Sequence, residues 1–262
     1  MIRYLRLYLY FLRFSFSRAM EFRLDFFFRV VMDTVFYLVH IIFFAIIYRH
    51  TALVGGWNYD QVLIFVCGFF VADALHMTVV ANNLWHLPEY INKGDVDYHL
   101  VRPVSSLFFL SVRDFAANSF VNLLIALGLL GWAIGRYPGS FSPGQLLFYG
   151  LLIINGAYLY YLIHLLFILP VFWTHSARGF EAIFYSVKQF AERPDRVFHG
   201  PVRLLLVSLL PFLLIASYPA HVLLGDFNWS TMTHIVLVSL ALTLLVLMVW
   251  RLGLRSYSSA SS

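Results

Sequence analysis

The sequence is short of charge and nearly free of cysteine. Asp, Glu, Lys and Arg make up 12% of its 262 residues, about half of what a wet globular surface carries, so a water-soluble domain is excluded as the leading reading. One cysteine, Cys67, excludes a disulfide framework and a cysteine metal site. No Gly-x-x-x-x-Gly-Lys-Ser/Thr cradle for phosphate occurs, and Lys93-Gly94 leads into acidic residues and not into a helix N-terminus. His-Glu-x-x-His is absent, the ten histidines have no metal-ligand spacing, and no Gly-x-Ser-x-Gly anchors a nucleophilic serine. No catalytic, cofactor-binding or metal-binding residue is therefore assigned.

What is present is apolar. Hydrophobic residues reach 61%, aromatics 19%, and mean hydropathy is +0.79. Runs of about 17–25 apolar residues suffice to cross about 30 Å of hydrocarbon as helices. Six such runs are found, at about 26–48, 62–80, 108–132, 146–173, 204–218 and 235–250, in one transmembrane domain covering 1–262. The expected fold class is all-α and polytopic.

A net charge of +5 would suit nucleic acid in a soluble protein, but here the basic residues flank the apolar runs and no nucleic-acid partner is expected. With the N-terminus inside, 16 of the 18 Lys and Arg fall on the cytoplasmic side, Lys188, Arg193, Arg196 and Arg203 among them, and only Arg49 and Arg136 fall outside. Both termini are then cytoplasmic. Trp57, Trp132, Trp173, Trp229 and Trp250 lie near span ends, as an aromatic belt requires. Residues 1–24 set arginines among Tyr, Leu and Phe at helical spacing, which suits a helix lying on membrane lipid. The segment 174–201 reads as a second cytoplasmic feature.

Ionisable residues inside spans are functional candidates by default. Asp33 follows Arg29 by four residues, the spacing of an intrahelical ion pair. Asp73, with His76 three residues on, is either a pore or subunit contact or a structural hydrogen-bonding group. His40 and His164 read as neutral, hydrogen-bonded bundle residues.

The cytoplasmic loop at 81–106 carries the most specific pattern. Leu84, Leu87, Tyr90 and Ile91 recur at helical spacing, Gly94 can end that helix in a left-handed conformation, and Pro103 restarts the chain. The helix is read as turning its apolar face to the cytoplasm. Together with Asp95, Asp97, Leu100 and Arg102, the loop resembles that of the membrane subunit of an ABC-2 type transporter, a small six-span bacterial permease of type V exporter-like architecture. Six spans, a basic N-terminal helix and a fifth span bearing Pro211 and Pro219 match too.

The resemblance implies a division of labour. The chain would form a translocation pathway with a second permease, identical or paralogous, while two separate ATPase subunits bind the ATP. The helix at 84–93 would couple them. The resemblance also implies that the chain breaks after Pro211 into a short re-entrant helix near 218–224, with Pro219 interrupting it. The expected location is the bacterial inner membrane, and the apolar bundle favours export of an amphipathic or lipid-like compound. The rival classes are a six-span scaffold or assembly protein and an intramembrane enzyme, the latter disfavoured by the few polar residues in the spans.

Overall fold

The computed structural model describes residues 23–101 and 104–257, with Tyr8, Tyr10, Phe11, Arg13 and Ser15. Most of the N-terminal helix expected at 1–24, and the expected features at Arg102 and Pro103, lie outside the described residues. Those described near the N-terminus are helical, and Ser15 Oγ accepts a hydrogen bond from the Phe115 amide (3.1 Å).

Helix α1 (Arg23–Ile47) is apolar yet buries only Tyr37 and Phe44. Helix α2 starts at a reciprocal cap in which Asn58 and Gln61 bond each other's backbone. From Tyr59 to His76 it is apolar on all sides, and nearly every side chain is buried, as befits the central helix of a bundle. It does not stop near residue 80. A π turn (Met77–Ala81) carries it into α3 (Asn82–Lys93), making one continuous helix of 35 residues.

Gly94 ends α3 with φ 83°. Its N–H reaches the Ile91 carbonyl and that of Asp95 reaches Tyr90, a left-handed cap for which glycine is suited. Short helices α4 (Val96–Leu100) and α5 (Ser106–Val112) follow.

The third crossing begins later than the sequence suggests, at α6 (Ala117–Arg136). The break has a polar cause. The Asn83 amide clamps Asp114 by donating to its carbonyl (2.7 Å) and accepting its N–H (2.8 Å). The Ala116 N–H bonds the Thr78 carbonyl (2.9 Å) in the π turn, where the widened ring leaves carbonyls open to outside donors.

Helix α7 (Pro143–Ile168) opens on a capping box from Ser142 and Gln145 with proline at its first position. It breaks at Pro170 into α8 (Val171–Thr174). Helix α9 (Arg178–Lys188) continues as a 3-10 turn, Gln189–Glu192. Helix α10 (Gly200–Leu204) winds into a π turn, Leu205–Leu209. Helices α11 (Ser217–Leu223) and α12 (Trp229–Ser256) complete the chain.

Contacts divide the bundle into two ends. At one, Arg136 pairs with Asp60 (2.8 Å), the Tyr48 hydroxyl donates to the Trp57 carbonyl (2.7 Å), and Arg196 pairs with Asp226 (2.9 Å). At the other, Asn92 Nδ2 donates to the His175 carbonyl (3.0 Å) and Trp173 Nε1 to Ser256 Oγ (3.0 Å).

Between the ends, α9 climbs rung by rung. Tyr185 meets Trp85 (2.6 Å), Lys188 meets Asp73 (2.9 Å), Glu192 meets His40 (3.1 Å), and Pro194 lies against Gly55. Residues 178–192 therefore run from one end of the bundle to the other beside α2, while 204–218, expected as the fifth span, fall in a bent pair of helices. Residues 174–201 are not a surface loop at the end that holds Lys93, and Arg193 and Arg196 belong with Arg136 at the opposite end. Hydropathy passes over this segment because it carries Arg178, Glu181, Lys188 and Glu192. Two of those charges are met by Asp73 and His40 from neighbouring helices.

Residues 204–218 instead form part of a V. Gly200–Leu209 and Phe212–Leu223 bend by 68°, entering and leaving at the end that holds Arg196 and Asp226. Trp57 and Trp250, expected in the aromatic belt, are core residues 3% and 4% exposed.

Candidate functional site

The centre of the bundle holds a polar cluster. Asp73, in the middle of the central helix, accepts hydrogen bonds on Oδ1 from Lys188 Nζ (2.9 Å) and the Tyr160 hydroxyl (3.2 Å). His76 stacks flat on Tyr160, and His164 lies edge-close to His76 (3.2 Å between ring nitrogens) and stacks on Phe184. Asp73, His76, Tyr160 and His164 are all buried.

Asp73 and His76 were expected to face a pore or a second subunit, or to bond structurally. The structure turns both into the interior of this one chain, where Asp73 has hydrogen-bonding partners of its own. A carboxylate there is tolerable because an ammonium and a phenol meet it in the same dry space. Lys188, 115 residues away, is the partner that sequence reasoning missed, since no local spacing links the two.

Asp33 also departs from expectation. Arg29 pairs back with Asp25 (2.8 Å), and Asp33 turns inward to accept a hydrogen bond from Asn122 Nδ2. His40 and His164 are hydrogen-bonded bundle residues.

The coupling residues have a different disposition from the one their spacing suggests. Leu84, Leu87 and Ile91 are 0%, 1% and 5% exposed and belong to the chain's own core, and Tyr90 packs beside them under Arg113. Their apolar face is thus not open to a partner. It is covered by α5, α7 and α8 of the same chain. The opposite face presents Trp85, His86, Glu89, Asn92 and Lys93, with Asp95 exposed just beyond Gly94. Glu89 and Lys93 pair along the helix (2.5 Å). Lys93 holds the Glu89 carboxyl below its usual range, first by hydrogen bonding and then by charge.

At the far end the V is held by a second cluster. Asp195, 1% exposed, accepts from Arg203 (2.9 Å) and lies 2.7 Å from His221 Nε2, whose other ring nitrogen faces Asp226 (3.0 Å). Trp57 covers the His221 ring at 4.5 Å. Burial pushes the Asp195 carboxyl upward, but hydrogen bonds and charge from His221 and Arg203 outweigh it and leave the group below its ordinary value.

The bend falls at Leu210 and Pro211. Pro219 does not interrupt a helix. It sits in the first turn of α11, where a missing N–H costs nothing. The V is let into the bundle by Gly156, whose absent side chain admits the Ile215 carbonyl. A Cβ there would lie 2.2 Å from that oxygen.

Among the described residues no three His, Cys, Asp or Glu side chains could hold a metal together. The arrangement is that of a membrane bundle with a polar pin at its centre, a broken helical V at one end and a long helix projecting from the other. No curated protein and no solved structure matches the chain. Residues 34–261 match the family described as ABC-2 family transporter protein, and with most of its length so matched the chain belongs to that family of membrane transport proteins.

Proposed function

We propose that the chain is one of two permeases, identical or paralogous, that together enclose a translocation pathway, with two separate ATPase subunits beneath the end bearing Lys93, His175 and Ser256. The observation that carries this reading is the continuous helix Tyr59–Lys93. At 1.5 Å per residue it is about 52 Å long, some 20 Å more than the hydrocarbon core of a bilayer needs. Its excess turns are braced by Leu84, Leu87 and Ile91 and present a polar face outward. A push on that face would be carried along the helix and through its π turn to Asp73 at the centre of the bundle, the kind of shift between packed arrangements that ATP-driven switches use.

In this reading the braced end is cytoplasmic and the membrane is the bacterial inner one. Arg49, Arg136, Arg193, Arg196 and Arg203 lie at the other end and Lys188 within the bundle. Every other Lys and Arg flanks the braced end by chain order, which keeps the positive excess there. The apolar and aromatic bundle favours an amphipathic or lipid-like compound moved outward. The ATP is bound by the partner subunits and not by this chain.

Co-purification tests the assembly: a P-loop subunit should accompany the permease, and ATP turnover should require it. The coupling face is tested by the double exchange Glu89→Lys, Lys93→Glu, which keeps an i,i+4 pair but reverses the charges offered to the partner. Both side chains are at least half exposed, so the fold should be unaffected while ATPase capture weakens about tenfold. Unchanged capture with intact transport would remove the coupling role from α3.

A further inference from the structure

Between α1, α2 and α6 lies a cavity of about 30 Å³, lined by Asp33, Phe36, Tyr37, Asp73, Ala74, Met77, Ser119 and Asn122. It adjoins a larger cavity of about 460 Å³ that shares Asp33, Met77 and Ser119 with it and extends to Asp25, Asn82 and Trp85, residues toward the end that holds Lys93.

Five of the eight residues lining the smaller cavity carry a side-chain oxygen, set in an otherwise apolar wall, and their charge is unbalanced. Asp33 and Asp73 bring two carboxylates. Lys188 supplies one positive charge, delivered to Asp73 Oδ1. Arg29, the next nearest cation on α1, is held by Asp25. Tyr37 from α1 and Tyr160 from α7 are neutral phenols, and the side chains that α6 contributes, Ser119 and Asn122, carry no charge. Asp33 accepts a hydrogen bond from the Asn122 amide, and Arg29 and Lys188 act on it only by charge from farther off. Independently of the carboxylates, Asn122 Oδ1 has no hydrogen-bond partner among the described residues although Asn122 is 1% exposed. An orphaned acceptor beside an uncompensated carboxylate in a dry bundle calls for a positive guest. A neutral water would answer the orphaned oxygen, and the charge is answered either by a cation or by a proton on Asp33, two cases that sodium dependence separates. Oxygen ligands suit hard cations, and with one charge to balance the guest is monovalent.

We propose that this cavity binds one monovalent alkali cation between Asp33, Asp73 and Asn122, admitted through the larger cavity. The site stands on geometry within this one chain and does not depend on the permease reading.

The test is the unfolding midpoint of the purified protein in lipid nanodiscs, with NaCl exchanged for N-methylglucamine chloride at constant ionic strength, at about pH 6 and about pH 8. If sodium is the guest, the midpoint rises by about 3 °C or more across a hundredfold increase in Na⁺. A midpoint that is higher at the lower pH whatever the sodium concentration would mean that Asp33 takes the proton itself, and would overturn the proposal. Asp33→Asn, which removes the charge in place, should abolish the sodium response, and Asp33→Glu should keep it. Asn122→Leu, which deletes the orphaned oxygen, should raise the half-saturating cation concentration at least about tenfold. The proposal is overturned if the wild-type protein does not respond to sodium, or if Asp33→Asn, or Asn122→Leu should the first variant not fold, responds as the wild type does.

Discussion

The Asp73–Lys188 pair is predicted to be what holds residues 178–192 in the bundle. Its two side chains are 9% and 12% exposed and 2.9 Å apart, so neither charge has water to fall back on. Breaking a buried pair from one side strands the other charge and costs about 3–5 kcal/mol, whereas removing both together is near neutral. Asp73→Asn leaves the Lys188 ammonium with an amide and a phenol. Lys188→Met leaves the Asp73 carboxylate with Tyr160 alone. Each single change should lower the midpoint of thermal unfolding in nanodiscs by about 6–20 °C, and the double variant should return to within a few degrees of wild type. The reasoning is refuted if the double variant is as unstable as the sum of the singles, or if either single change is silent. The first outcome would mean that shape, and not charge, decides the contact; the second would mean that water reaches the pair.

Three further outcomes are expected. A cysteine at Val197, which is 43% exposed, should react with an impermeant thiol reagent added to intact cells, while one at Asn92 should not; the reverse pattern would restore a cytoplasmic 174–201 segment. Gly156→Ala should expel the V from α7, because its Cβ would meet the Ile215 carbonyl at 2.2 Å, and proteolysis between residues 205 and 216 should accelerate while α2 stays protected. The Asp195 carboxyl sits lower in the folded chain than in the unfolded one, so its contribution to stability is complete above the unfolded carboxylate range near pH 4 and is lost as pH falls through the folded value. Unfolding monitored from about pH 6 down to about pH 3 should show this acid loss in the wild type and a shallower slope in Asp195→Asn.

Local chemistry was legible in the chain wherever an element is decided by its own residues. The apolar runs that became α1, α2, α6, α7 and α12 were found by hydropathy because each must exclude water along its length. The stop at Gly94 was readable because a left-handed cap requires little more than a glycine. The helical period of Leu84, Leu87 and Ile91 was likewise visible, since periodicity belongs to one helix. Which body those three side chains face is not a property of one helix, and the fold turned them onto α5, α7 and α8.

What only the tertiary structure decided is where charges find partners. Lys188 and Glu192 make 178–192 too polar to pass as a membrane crossing by composition. They become admissible there because Asp73 and His40, more than a hundred residues earlier, stand opposite them at 2.9 and 3.1 Å. Gly156 carries no signal of its own until the Ile215 carbonyl arrives against it. A sequence determines its apolar lengths and caps residue by residue, because those depend on neighbours in the chain. The desolvation of a charge depends on neighbours in space, and in this protein that dependence settles the path of residues 178–192 through the bundle.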